Sequence, residues 1–223
     1  MVSLSLRERI NYRFLINESR TYRLWYTRFL ICGVDLARIY RVVSWIKNFY
    51  LWWDEWIREG VSVELLARDA LKKDNIYSAR RLFHEAAGCF HIGEHIYFLD
   101  LARKNAAQER ARHCYRKAIA LYAEDKRPQR IEIPFRQTVI PGYLHRTSSP
   151  GQPLIIFING LDDIKEAEDH FLASILVDNG FNVVAFDGPG QGEMWQSLKL
   201  IPDYESAVKA IIDWLEDQRI SDI

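Results

Sequence analysis

Up to about residue 125, apolar positions recur three and four apart, as in Leu82, Phe83, Ala86, Ala87 and Phe90, and the first proline is Pro128. That spacing lines one face of a helix, so it predicts a helical region with a core-facing stripe. At "EDKRPQR" (124–130) the period shortens towards that of strands. "RIEIPF" and "QTVIPGYLHR" are expected to be short strands joined by a turn, and "TSSPGQP" (147–153) a polar turn. "LIIFI" (154–158) is a continuous apolar run, expected to be a strand buried on both faces. "IKEAEDHFLASILVDNG" (164–180) predicts an amphipathic helix closed by Gly180, and "FNVVAF" (181–186) a second buried strand. Strand, crossover helix and strand make a parallel βαβ unit. Asp203 is placed to cap a helix over 204–217, with Tyr204, Ala207, Val208, Ile211, Trp214 and Leu215 as its stripe.

The helical part carries a weak internal repeat. "ARRLFHEAAGCF" (79–90) aligns with "ARHCYRKAIALY" (111–122), pairing Phe83 with Tyr115 and Ala86 with Ala118. The alternation of small and aromatic residues resembles tetratricopeptide-like helix pairs. Two copies fall short of a solenoid, so two stacked hairpins are expected. The aromatic-rich segment 24–53 is interrupted by Arg28, Asp35, Arg38, Arg41 and Lys47, so it predicts a buried helix face and no membrane span.

Charge divides the chain as periodicity does. Residues 1–130 hold 24 Lys and Arg against 15 Asp and Glu, and the remainder 6 against 15, for a net charge of zero. The expectation is two modules, 1–127 helical and 128–223 α/β. The basic residues form no run, which argues against nucleic acid as a partner. Three cysteines, Cys32, Cys89 and Cys114, suit reduced thiols in the cytoplasm, and Cys89, Cys114 and His113 read as helix-packing residues. The N-terminus meets a charge too early for a secretory signal.

Two motifs invite a ligand and lose it on chemistry. "DGPGQG" follows a strand, but Gly188, Gly190 and Gly192 are spaced G-x-G-x-G; Pro189 removes an N–H, and Asp187 and Glu193 would repel a phosphate. "HIGEH" (91–95) puts His91 and His95 four apart with Glu94 beside them, an inverted zinc-peptidase pattern. Gly93 weakens that helix and no third ligand is in view, so no metal and no cofactor is expected.

One combination carries more. "LIIFINGLDDIKE" places Asn159, Gly160, Leu161 and Asp162 directly after a strand, and one βαβ step later comes "VVAFDGPGQGE". In these turns the chain resembles the α/β-hydrolase superfamily. It is most similar to the branch with an N-terminal helical domain that includes dihydroxypseudooxynicotine hydrolase, FrsA-like esterases and fungal hydrolases that shorten polyketide pigment precursors. Phe186 to Gly192 follow that branch closely, whereas Asn159 stands where it carries glycine. The resemblance implies an oxyanion hole with the backbone N–H of Leu161 as donor. Asn159, Gly160, Asp187, Gly188, Gly190 and Gly192 would shape its supporting turns.

Such a hydrolase also needs a G-x-S-x-G elbow, an acid and a histidine, and the elbow spacing does not occur in the 223 residues. The expected fold is therefore a helical lid or substrate domain followed by the first half of an α/β-hydrolase sheet. The resemblance implies the N-terminal part of a serine-type hydrolase of esters or of C–C bonds beside a ketone, inactive alone. Its substrate would be a small molecule, aromatic or polyketide-like, and its partner a complementing C-terminal fragment or a second copy. The alternative is a non-catalytic binding protein built on tetratricopeptide-like hairpins.

Overall fold

The structure, a computed structural model, describes residues 25–149 and 151–220. The chain divides into two compact units, residues 1–121 and 122–223.

In the first unit, α1 (Tyr26–Ile31) and α2 (Leu36–Trp45) lead through a short 3-10 turn into three long helices. These are α3 (Trp52–Lys72), α4 (Ile76–His95) and α5 (Leu101–Ile119). Side chains start three of these helices by accepting backbone N–H groups that have no partner within the helix. Asp35 accepts from Ala37, Asn75 from Ser78 and Asp100 from Ala102 and Arg103. Helix α4 packs against both α3 and α5. The repeat falls on α4 and α5, two successive helices, so three consecutive helices replace the two stacked hairpins expected. Its aligned positions Phe83, Tyr115, Ala86 and Ala118 are all buried. Of the aromatic segment, Phe29, Phe49 and Trp52 are buried as expected, whereas Tyr40 and Tyr50 are exposed, and Trp52 Nε1 donates to the Ile92 carbonyl at 2.8 Å. Among the described residues no helix is long and apolar enough to cross a membrane.

In the second unit β1 (Gln129–Phe135) and β2 (Thr138–His145) form an antiparallel hairpin, with Arg136 at φ +51° in its tight turn. After β3 (Leu154–Phe157), helix α6 (Glu168–Asp178) returns the chain to β4 (Asn182–Phe186). The four-stranded sheet has the order β1-β2-β4-β3, with β3 and β4 parallel and the other pairs antiparallel. Period-two alternation puts Ile131, Ile133, Phe135, Val184 and Phe186 in one core with Ala207, Ile211 and Leu215 of α7 (Glu205–Asp217). Val183 and Ala185 alternate to the other face of β4, the strand on which α6 also packs.

Three expectations need correcting. Strand β3 is only half-buried, because it is an edge strand of the described sheet with a hydrogen-bonded neighbour on one side alone. Helix α6 starts at Glu168, four residues later than predicted, because Lys165 and Glu166 are drawn into a buried ionic cluster. Its end is as predicted: Gly180, at φ +91°, donates to the Val177 carbonyl and Phe181 to that of Leu176, a left-handed cap. Asp203 does not cap α7, whose N-cap Tyr204 makes no side-chain cap bond; its carboxylate instead receives both bonds from Arg136, at 2.8 and 3.0 Å.

Candidate active site

Parallel β3 and β4 end side by side, Phe157 opposite Ala185, so the turns that follow them emerge at the same edge of the sheet. The first runs through Asn159, Gly160, Leu161 and Asp162, the second through Asp187, Gly188, Gly190 and Gly192. Two side chains tie them together. Gln191 Nε2 donates to the Gly160 carbonyl at 2.8 Å and to that of Asn159 at 3.2 Å. Its Oε1 accepts from the Gly188 N–H at 3.0 Å and from the Tyr204 hydroxyl at 2.5 Å. One amide thus fixes four groups from both turns and from the start of α7.

The second tie is ionic. Lys165, fully buried, places Nζ 2.6 Å from Asp187 Oδ2, 2.8 Å from Glu166 Oε1 and 3.0 Å from Glu193 Oε2. Asp187 further accepts the backbone N–H of Lys165 at 3.0 Å and of Glu193 at 2.8 Å. Burial alone would favour the neutral amine, but Asp187, Glu166 and Glu193 outweigh it and hold Lys165 above its ordinary pKa. Burial likewise pushes Glu193 up, yet bonds from Arg130, at 2.8 and 3.0 Å, and from Lys165 bring it well below the usual carboxylate range. Glu166, Asp187 and Glu193 converge closely enough to hold a cation, and the Lys165 ammonium is that cation.

Asp163 and Asp169 form a second acidic pair. Asp169 is fully buried, and among the described residues neither of its oxygens meets a donor other than the Asp163 carboxyl, which must carry a proton to serve as one. Burial, then the charges of Asp169 and Glu168, push Asp163 far above the usual carboxyl range. Burial and Asp187 push Asp169 up as well.

Close approach explains all three glycines of the turn after β4; at Gly190, φ +84°, a Cβ would lie 2.6 Å from the Leu200 backbone nitrogen. Gly192, at φ +39°, lies against Asp187 so tightly that a Cβ would fall within the carboxylate. At Gly188 a Cβ would fall on the Tyr204 hydroxyl. Asn159 is different: its φ is not positive, so the backbone there does not require the glycine found in the resembling branch. Its own amide is buried, with neither atom partnered among the described residues. The Leu161 side chain is 62% exposed, and its N–H donates to no acceptor among the described residues.

The other motifs take structural places. His91, Glu94 and His95 are buried on α4, with His91 Nδ1 2.9 Å from Glu94 Oε1. Lys104 of α5 binds the other Glu94 oxygen and donates to the Glu94 carbonyl at 2.7 Å, so an ammonium, again, meets the carboxylate. Cys32, Cys89 and Cys114 are buried and unoxidised, and burial pushes Cys114 up to about 12, far from a reactive thiolate. His113, expected to pack, is exposed on α5.

Sequence reasoning missed Lys165, Gln191 and Arg130. Lys165 lies within "DDIKEAED", which reads as the solvated start of a helix, and no local pattern links it to carboxylates 22 and 28 residues away. Gln191 stood in the quoted turn, but the Asn159 and Gly160 carbonyls it binds lie in the other turn, about 30 residues earlier.

No protein-family model matches the chain. It is 30% identical over 165 residues to the 2,6-dihydropseudooxynicotine hydrolase of Paenarthrobacter nicotinovorans, covering 74% of this chain and 44% of that protein. It is 27% identical over 207 residues to the hydrolase pyiE of Pyricularia grisea, covering 82% and 44% respectively. The crystal structure of the 2,6-dihydroxy-pseudo-oxynicotine hydrolase superposes with a TM-score of 0.73 at 27% identity, covering 86% of this chain and 53% of that one. The chain therefore spans about half the length of the relatives it matches.

Proposed function

From a likeness to α/β-hydrolases that holds in both sequence and fold, we propose that the chain carries the oxyanion turn of a serine-type hydrolase. The bond cleaved is an ester or a C–C bond beside a ketone, in an aromatic or polyketide-like small molecule. One observation carries the reading: the unpaired Leu161 N–H sits in a turn braced by Gln191 and Lys165 against the turn after β4. Attack of a nucleophile on a carbonyl puts negative charge on its oxygen, and a fixed N–H stabilises that charge without reorganising. The brace removes the freedom that would otherwise be lost at that moment. The serine, acid and histidine would come from a complementing C-terminal hydrolase segment, so residues 1–223 alone are expected to be inactive.

The experiment joins this chain to the C-terminal half of the Paenarthrobacter hydrolase. The chain alone should neither hydrolyse aryl esters nor take up a fluorophosphonate, and the fusion should do both. Leu161→Pro, which deletes the donor, should lower kcat of the fusion by about 10²–10³-fold, while Leu161→Ala leaves it nearly unchanged. Stoichiometric labelling of the chain alone, or a fusion indifferent to Leu161→Pro, would overturn the reading.

A further inference from the structure

A cavity of about 380 Å³ lies in the second unit, away from the turns just described. Its walls include His145 at the end of β2 and the loop Arg146 to Ser149 that follows. His145 pairs with Val183, at the amino end of β4, whereas the candidate turns leave its carboxyl end at Phe186. Three residues of strand separate the two places, roughly 10 Å. Along α6 the lining runs from His170 through Ser174 to Asp178, eight residues or about 12 Å of helix. The volume falls within the range of small-molecule sites.

The charge pattern tells what would bind. Lys126 and Arg146 both line the cavity, and neither forms an ion pair among the described residues. Thr147, Ser148 and Ser149 line it too, from a loop that is braced in place. Thr147 N–H donates to Asn182 Oδ1 at 3.0 Å, Asn182 Nδ2 donates to the Gln152 carbonyl at 3.0 Å, and Thr147 Oγ1 donates to the Ser149 carbonyl at 2.9 Å. His145, also on the wall, is 4% exposed and holds Nε2 without a partner among the described residues. Burial lowers it to about 4, so the ring is neutral at pH 7 and packs against His170, centroids 5.5 Å apart. Asp178 is the one carboxylate of the lining, which suits a small ligand better than a polyanion.

We propose that this cavity is a binding site for a small organic anion, its carboxylate or phosphate head met by Lys126 and Arg146. Two unpaired cations beside a pre-shaped hydroxyl loop gain a charge-assisted partner at little ordering cost. The site is independent of the hydrolase reading, since it shares no residue with either turn.

The test uses the whole 223-residue chain, titrated separately with inorganic phosphate and with benzoate, following heat and the ring-nitrogen NMR shifts of His145 and His170. Saturable binding of either below about 10 mM is expected, weakening as salt is raised, with movement of those two histidine signals. Saturation by phosphate alone identifies a phosphoryl ligand, and by benzoate alone a carboxylate. Arg146→Gln and Lys126→Gln, both at exposed positions, should each weaken binding by about tenfold with unchanged thermal unfolding. Failure of both probes to saturate, or affinity unchanged in both variants, overturns the proposal.

Discussion

Lys165 Nζ lies 2.6 Å from Asp187 Oδ2, with both side chains wholly buried and 22 residues apart in sequence. Breaking such a pair from one side strands charge in a low-dielectric interior, and here Glu166 would be stranded with Asp187, while Glu193 keeps its bonds from Arg130. Lys165→Met should therefore cost about 3–5 kcal/mol, read from the urea midpoint of the second unit. A loss under about 1 kcal/mol would mean water reaches the cluster.

Gln191→Leu removes the amide that serves both turns. It leaves the Gly188 N–H, the Tyr204 hydroxyl and the Asn159 carbonyl without their partner, while the Gly160 carbonyl keeps the Asp163 N–H. A buried group left unpaired costs about 1–3 kcal/mol, so the substitution should fall in or above that range. Tyr204→Phe, combined in a double-mutant cycle, should show positive coupling with Gln191→Leu.

Two glycines at positive φ separate backbone strain from steric overlap. Gly33, at φ +81°, has nothing within 4 Å of an added Cβ, so Gly33→Ala should cost about 1 kcal/mol through backbone strain alone. Gly192→Ala adds a clash with the Asp187 carboxylate and should cost clearly more, by thermal unfolding of the two variants side by side.

The acidic pair sets a pH dependence with a definite sign. Asp163 and Asp169 have folded pKa values raised above their unfolded ones, by burial first. Their contribution is complete below about pH 4 and is lost as pH rises through neutrality. Glu193 has the opposite sign: held low by Arg130 and Lys165 against its burial, it contributes above about pH 4.5 and loses that as pH falls. Asp169→Asn keeps a partner for Asp163 without a second titrating group. Its stability between pH 5 and pH 8 should be flatter than that of the unaltered chain; an unchanged slope in urea titrations would place the effect elsewhere.

Much of this molecule was legible along the chain because local periodicity reports burial on one face. Ala207, Ile211 and Leu215 stand at helical spacing and do line the core. Ile131, Ile133 and Phe135 alternate and do face inward. The βαβ step was readable too, since two apolar runs around an amphipathic segment pair only in parallel. The turns at Asn159–Asp162 and Asp187–Gly192 could be singled out because glycine spacing and resemblance are properties of the linear order.

What the linear order left open is everything settled by neighbours distant in sequence. "LIIFI" has the composition of a central strand, but edge or centre depends on which strand lies beside it. Lys165, Glu166 and Asp169 look like the polar face of a helix start, yet they are buried. Asp187 and Glu193 supply a charge balance that no window of a few residues contains. Asp203 has the chemistry of a cap, and Arg136, 67 residues away, takes its carboxylate instead. Periodicity is a short-range property of the chain and set the elements; charge pairing acts through space, so only the assembled sheet could decide where these groups found their partners.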